Sequence, residues 1–232
     1  MYDIIRSDSR GAADHGWLKA KHTFSFAGYH NPAMMGFGKL RVVNEDRIAG
    51  GQGFGTHPHQ DMEIVTYLIE GALEHKDSMG NGSIIRPGEL QRMSAGTGVL
   101  HSEYNASDTD PAHLLQIWIL PESAGIEPGY EQKLFTEDEK RNNLRLVGSR
   151  DGRNGSLTIH QDLDLYASVL EPGHALEHVF APGRKGFLQL ISGKLEVNGA
   201  TIAAGDGVAL QAEATLAIES IGKAEFLLFD MQ

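Results

Sequence analysis

Short runs of β-branched and aromatic residues, each bounded by turn residues, recur along the whole chain and indicate many short strands. The clearest runs are KLRVVN (39–44), EIVTYLIEG (63–71), HLLQIWIL (113–120), SLTIHQ (156–161), YASVLEPG (166–173), GFLQLISGKLEVNG (186–199) and EFLLFD (225–230). The 28 glycines cluster at the turns between such runs, and Asn198-Gly199 suits a tight type I′ hairpin. Helical periodicity is confined to a short piece around TEDEKRNN (136–143). The pattern predicts an all-β chain of sandwich or barrel type, without βαβ units.

A polar stretch near the middle of the chain separates two similar halves. Residues 121–155 contain two prolines, many charges and few apolar residues, which is typical of a linker. The halves share one order of strands and glycine turns, as in VTYLIEGALEHKDSMGNGSIIRPGELQRMSAGTG and LQLISGKLEVNGATIAAGDGVALQAEATL. We predict a degenerate internal duplication, with an N-terminal domain at 1–125, a linker at 126–155 and a C-terminal domain at 156–232. Two unrelated β-meanders are the alternative.

Composition restricts the chemistry and the partners of the chain. Cysteine is absent, so a metal ion has to be held by histidine and carboxylate side chains. The formal net charge of -11 disfavours direct binding of nucleic acid, because phosphate backbones attract basic surfaces. The sequence shows neither a signal-peptide pattern nor an apolar run of about 18 residues. We therefore expect a cytoplasmic protein without a membrane or nucleic-acid partner.

Two pairs of ligand-type residues stand beside glycine-rich turns. GTHPHQDME holds His57 and His59, and SAGTGVLHSEYN holds His101 and Glu103. Residues i and i+2 of a strand point to the same face, so two such pairs on neighbouring strands place four side chains on one patch. A metal ion needs that convergence. Asp61 and Glu63 share the parity of the first pair and are alternative carboxylate ligands, although a proline between the histidines complicates the count.

The other histidines carry weaker signals. His22 alternates with Phe24 and Phe26 in HTFSF, and this face either lines a pocket or completes the core. For the remaining histidines, which have no His-x-His partner, we expect structural or solvated roles; they are His15, His30, His75, His113, His160, His174 and His178.

Long stretches of the chain resemble the pirin family of the cupin superfamily. The matching segments are HGWLKAKHTFSFAGYHNPAMMGFGKLRVVNED, GQGFGTHPHQDMEIVTYLIEGALEHKDSMGN and MSAGTGVLHSEYN, and HQDLDLYASVLEPG is similar to the longer bacterial pirins with quercetinase activity. The resemblance implies a bicupin, with two jelly-roll β-barrels in one chain. It implies one metal ion, in the N-terminal cupin, and a metal-free C-terminal cupin.

The resemblance also implies a ligand set and an activity. His57, His59, His101 and Glu103 would bind the metal ion, with Glu63 behind them, although cupins in general use the position of Glu63 as a ligand. Such a set suits Fe(II) first and also Ni, Co, Mn, Cu or Zn, and it leaves two coordination positions open. We expect a flavonol dioxygenase that acts on a small aromatic substrate and O2, with Glu103 or Glu63 as the base.

Two further expectations concern the pocket and the alternative role. Candidate wall residues are Phe24, Phe26, Met34, Met35 and Phe37, and each could instead belong to the plain core. A non-enzymatic, redox-sensing regulatory binding protein of pirin type is the alternative function. A monomer is expected, because two barrels in one chain supply what many cupins obtain by dimerising.

Overall fold

The computed structural model describes residues 2–232, and this part of the chain divides into two compact units. The N-terminal unit comprises Gly11–Leu134 and Leu157–Gln161. The C-terminal unit comprises the described residues up to Arg10, together with Phe135–Ser156 and Asp162–Gln232. The domains predicted from the sequence are continuous segments. The two units of the structure are discontinuous, and their boundaries differ from the predicted ones at both ends of the linker and at the start of the chain.

Strands dominate the described residues. In the first half they are β1 (Tyr2–Ile5), β2 (Gly11–Asp14), β3 (Leu18–His22), β4 (Leu40–Ile48), β5 (Gly53–His59), β6 (Glu63–Glu70), β7 (Leu73–Asp77), β8 (Gly82–Ile85), β9 (Glu89–Ser94), β10 (Val99–Asn105) and β11 (Ala112–Ile119). In the second half they are β12 (Gly129–Leu134), β13 (Arg145–Ser149), β14 (Leu157–Thr158), β15 (Leu163–Leu170), β16 (Ala175–Val179), β17 (Lys185–Ser192), β18 (Lys194–Val197), β19 (Ala200–Ala203), β20 (Gly207–Gln211), β21 (Thr215–Ser220) and β22 (Ala224–Met231). Helical segments are α1 (Glu137–Lys140) and single 3₁₀ turns at Ser7–Ser9 and Arg153–Gly155. No helix among the described residues is long and apolar enough to cross a membrane.

Each unit contains a large and a small antiparallel sheet. In the N-terminal unit the strand orders are β12-β9-β6-β11-β4-β3-β2 and β5-β10-β7-β8. In the C-terminal unit they are β1-β20-β17-β22-β15-β13 and β16-β21-β18-β19. The eight strands β4 to β11 therefore follow the same order as the eight strands β15 to β22. Two eight-stranded jelly rolls result, which confirms the predicted all-β bicupin and its internal duplication.

Apolar side chains fill the space between the two sheets of each unit. In the N-terminal unit, Ile48 and Leu114 of the large sheet pack with Leu73 of the small sheet, and none is more than 1% exposed. In the C-terminal unit, Phe226 and Val197 occupy comparable places in one cluster. Burial of these faces follows from the period of two along each strand, and it stabilises each unit by removing apolar surface from water.

Most of the predicted elements are present. The helix forms within the predicted piece, and Thr136 and Glu139 close a capping box at its start. Asn198 and Gly199 both have positive φ, of 48° and 80°, as a type I′ hairpin requires. The stretch predicted to be a linker contains β12, α1 and β13. Its polar composition concealed a strand, because β12 lies at the edge of its sheet and keeps polar residues on its open side.

Candidate metal centre

Antiparallel pairing of β5 with β10 brings three histidines together. His57 lies directly opposite His101, and His59 lies opposite Val99. The ring centroids are 4.4 Å apart for His57 and His101, 4.8 Å for His57 and His59, and 4.9 Å for His59 and His101. Gly53 makes the approach of the strands feasible, because a Cβ there would lie 2.2 Å from the carbonyl oxygen of Glu103.

The nitrogens of this cluster fit a metal ion. One potential ligand atom from each histidine lies within 4.8 Å of the other two. His101 is 2% exposed, and neither of its ring nitrogens has a hydrogen-bond partner. His57 Nδ1 lies 2.8 Å from the carbonyl oxygen of Gly55, so it carries the proton and leaves Nε2 with a free lone pair. Buried nitrogens without a partner are costly, and a bound cation would satisfy them.

Electrostatics keep these imidazoles in the neutral form that binds metals. Burial lowers the pKa of His59 to about 4, helped by repulsion from His57. Burial also lowers the pKa of His101 to about 3, with further repulsion from the neighbouring histidines. Both rings are therefore neutral at pH 7, and no proton has to leave them when a cation binds.

Glu103 supplies the carboxylate beside the histidines. It is 3% exposed, and one of its oxygens groups with ligand atoms of His101 and His75 within 4.8 Å. Gln116 Nε2 donates to both carboxylate oxygens, at 2.9 Å and 3.1 Å, which fixes the plane of the group. Burial raises the pKa of Glu103, and these hydrogen bonds oppose that rise. Glu103 thus shares His101 with the cluster of three histidines, although none of the groups of close ligand atoms among the described residues contains all four predicted ligands.

Glu63 lies outside this group. It stands at the start of β6, opposite Ser94 on the large sheet, and it is fully buried. Its Oε2 accepts hydrogen bonds from the backbone N and from Nδ1 of His160, at 3.1 Å and 3.3 Å. The parity argument fails after His59, because Asp61 has a φ of 47° and turns the chain from one sheet to the other. Glu63 holds Leu157–Gln161 on the N-terminal unit.

His75 is a site residue that sequence reasoning missed. We expected a structural or solvated role, but the side chain is fully buried beside the cluster, and its ring centroid lies 5.4 Å from that of His101. Its Nε2 donates to Asp77 at 3.0 Å, and its Nδ1 accepts from Gln91 at 3.1 Å. Because both of its nitrogens are hydrogen-bonded, the ring of His75 is fixed in place and packs against the ring of His101. The available signal was its parity with buried Leu73 on β7.

The cluster opens onto a cavity of about 80 Å³, which we call the inner cavity. Its walls are formed by Phe26, Asn44, Asp46, Phe54, His57, His59, Glu103, Gln116 and Trp118. Trp118 contacts His59 edge-on, with ring centroids 4.9 Å apart. Of the expected wall residues only Phe26 is present, and Phe24 lies in the core at 1% exposure. Carboxylate, imidazole and aromatic surfaces therefore meet in one small space.

Eight strands in two sheets, with His-x-His on one strand and His-x-Glu on its neighbour, form the metal-binding version of the cupin fold. The chain is therefore a two-cupin protein whose N-terminal unit carries a candidate centre for a divalent metal ion. Both groups of three or more clustered ligand-type side chains among the described residues lie in that unit.

Comparison with known proteins identifies the family. The Pirin family model matches residues 5–119, and the model of the Quercetinase C-terminal cupin domain matches residues 146–231. Quercetin 2,3-dioxygenase of Escherichia coli strain K12 is 49% identical over 231 residues, which cover 100% of this chain and 99% of that protein. The Pirin-like protein of Caulobacter vibrioides is 40% identical, with 99% of each chain covered. The chain belongs to the pirin family, as its resemblance implied.

Solved structures agree with this assignment. The crystal structure of the bacterial pirin YhhW from Escherichia coli in complex with nickel(II) is 48% identical to this chain. It covers 100% of this chain and 99% of its own, with a TM-score of 0.96. A divalent ion is thus bound by a close relative with the same fold.

Proposed function

We propose that this protein is a metal-dependent dioxygenase that opens the central ring of a flavonol with O2 and releases carbon monoxide. The observation that carries the proposal is the buried His101, whose two nitrogens lack partners beside a carboxylate and an aromatic cavity. The Escherichia coli relative named quercetin 2,3-dioxygenase, which is 49% identical over the full chain, supports the same reaction.

Different residues of the site would bind the metal ion and contact the substrate. His57, His59, His101 and Glu103 would hold the ion, for which we propose Fe(II), while nickel(II) is the ion in the related crystal structure. The bound ion would supply a Lewis acid for the hydroxyketone oxygens of the flavonol and a site for O2. The aromatic walls exclude water from the hydroxyketone edge of the flavonol and contact the flat face of its ring; they are Trp118, Phe26 and Phe54.

We assign the acceptance of the substrate proton to Glu103. The carboxylate lines the inner cavity beside the histidines, so the 3-hydroxyl of a flavonol bound there comes within reach of it. Gln116 keeps the carboxylate in place while one oxygen takes the proton from the 3-hydroxyl. Because Glu63 stands on the large sheet and accepts hydrogen bonds from His160, we give it no part in this step.

The experiment is a reconstitution without oxygen followed by addition of O2 and quercetin. The protein is loaded separately with Fe(II), Ni(II) and Zn(II), and loss of flavonol absorbance and release of carbon monoxide are followed together. We expect one carbon monoxide to be released for each flavonol consumed, and we expect the highest rate with one of the redox-active ions. The alternative, a regulator without turnover, predicts full metal occupancy and stable flavonol. That result would end the enzymatic proposal.

A further inference from the structure

The inner cavity is too small to hold a flavonol. Its volume is about 80 Å³. Pockets for drug-sized ligands usually measure about 300–1,000 Å³. A flavonol has three rings, and only its edge with the hydroxyl and carbonyl oxygens needs to reach the histidines. The remaining rings therefore need a second space that is connected to the first.

A groove of about 680 Å³ in the same unit has the required size. We call it the outer groove, and its walls include Ala13 of β2, Trp17, Tyr29, Phe26 and Phe54. These side chains are aromatic or small and apolar, which suits a flat aromatic ligand. Ala13 is half-buried, and it packs with Trp17 and Phe54 against the core of the unit.

Two phenylalanines belong to the walls of both spaces. Phe26 contacts Trp118 of the inner cavity edge-on, with ring centroids 5.3 Å apart. Phe54 contacts Trp17 of the outer groove in the same manner, also at 5.3 Å. The boundary is thus one layer of aromatic rings, and the metal cluster lies on its inner side.

A polar contact completes this boundary. His22 on β3 lines the outer groove, and its Nδ1 donates to Oδ1 of Asn44, which lines the inner cavity, at 2.9 Å. The two residues are register partners on β3 and β4, so the strand pairing fixes their positions. The inner side of this boundary therefore presents hydrogen-bonding groups beside the metal cluster, and the outer side presents mainly apolar surface.

We propose that the outer groove binds the aromatic rings of the substrate that lie away from its metal-binding edge. The inference rests on the proposed function and deepens it. The substrate class is a planar compound with a chelating hydroxyketone edge and at least one further aromatic ring. The inner cavity accepts the edge, and the groove selects for the extra rings.

The test compares two ligands in the absence of O2. Quercetin carries the extra rings, whereas 3-hydroxy-4-pyranone is the chelating ring alone. Ala13→Phe fills the groove, so we expect the Kd of the metal-loaded protein for quercetin to rise about tenfold, equivalent to about 1.4 kcal/mol. The Kd for the pyranone should stay within about twofold. Ala175→Phe makes the same change at an exposed position of the edge strand β16 in the other unit, and it should alter neither Kd.

A second variant guards against misfolding of the first. Trp17→Leu removes an aromatic wall without filling the groove, and it should also weaken quercetin binding while sparing the pyranone. Metal content and thermal unfolding of each variant establish that the protein is intact. Unchanged quercetin binding in both variants, or an equal loss for both ligands, would overturn the inference. Binding without turnover after O2 is added would overturn only the proposed function.

Discussion

Gln116 donates its side-chain amide to both oxygens of Glu103, at 2.9 Å to Oε2 and 3.1 Å to Oε1. The amide belongs to β11 of the large sheet and the carboxylate to β10 of the small sheet. One hydrogen-bonding group therefore ties the acidic member of the candidate centre to the opposite wall of the barrel. The orientation of Glu103 depends on the spacing between the two sheets as well as on its own strand.

The first prediction follows from this contact. Gln116→Leu should weaken binding of the divalent ion about 10- to 100-fold, because a ligand that loses its supporting hydrogen bonds is no longer held in place. Competition with a chromogenic chelator measures the affinity. Gln132→Leu on β12 is the control and should bind the ion as the wild type does. Equal affinities for all three proteins would show that Gln116 does not support the centre.

The second prediction concerns the buried ring of His101. His101→Phe keeps an aromatic ring but removes two nitrogens without partners, so the metal-free variant should be about 1–3 kcal/mol more stable than the metal-free wild type. Added metal should stabilise the wild type by about 2.7 kcal/mol at 100 times its Kd and leave the variant unchanged. Urea unfolding with and without metal measures both effects.

His113→Phe serves as the matched control for that experiment. His113 is also buried, but its Nε2 lies 3.0 Å from Oε1 of Glu45, so its loss breaks an existing contact. This variant should be less stable without metal and should still be stabilised by metal. If His101→Phe behaved in the same way, the ring of His101 would have a structural role only.

The third prediction separates the two buried glutamates. Glu63→Leu removes the acceptor for His160 and should lower the free energy of unfolding by about 1–3 kcal/mol, with the metal content unchanged. Glu103→Leu makes the same chemical change, and it should instead reduce metal binding. Elemental analysis and thermal unfolding of the two variants give the comparison. Loss of metal from Glu63→Leu would make Glu63 the ligand, as in cupins generally.

The fourth prediction concerns acid stability of the C-terminal unit. Burial by itself would raise the pKa of Asp230, but hydrogen bonds from His178 and Arg184 outweigh burial and lower this pKa below its ordinary value of 3.8. A carboxylate whose pKa is lowered by folding stabilises the protein above pH 3.8, and this contribution disappears as the pH falls through the folded-state pKa.

Asp230→Asn should therefore cost about 1.5–3 kcal/mol at pH 7, because the hydrogen bonds from His178 and Arg184 lose their charged acceptor, while Arg184 keeps its second partner Asp162. The difference from the wild type should shrink steadily as the pH drops below 3.8. Urea unfolding at a series of pH values measures it. Asp3→Asn, at an exposed position of β1, should behave as the wild type throughout. A difference independent of pH would mean that the charge of Asp230 is not the cause.

The sequence predicts the residues of the candidate metal centre only where the regular geometry of a strand applies. The spacing of His57 and His59, and of His101 and Glu103, predicts a shared face, and the pairing of β5 with β10 supplies the proximity. The parity rule then assigns Glu63 to the same face and fails, because the left-handed Asp61 redirects the chain. A single backbone angle of this kind has no reliable signature in one sequence.

The domain boundaries and the burial of His75 depend on distant contacts. His75 looks solvated among charged neighbours, yet the pairing of β7 with β10 and the ring of Tyr130, 4.8 Å away, enclose it. Leu157–Gln161 follows a polar stretch but is held by Glu63, almost 100 positions earlier in the chain. Local composition carries no information about such partners. The order of strands within each half, by contrast, follows from local pattern and is confirmed.

The pairing of β1 with β20 has a consequence for the synthesis of the chain. Tyr2 lies opposite Leu210, so β1 leaves the ribosome about 200 residues before the strand that neighbours it in the sheet. At roughly 5–20 residues per second, the delay is on the order of 10–40 s. During that interval the nascent N-terminal cupin is free to fold, while β1 has no partner strand and is exposed to chaperones and to non-native contacts.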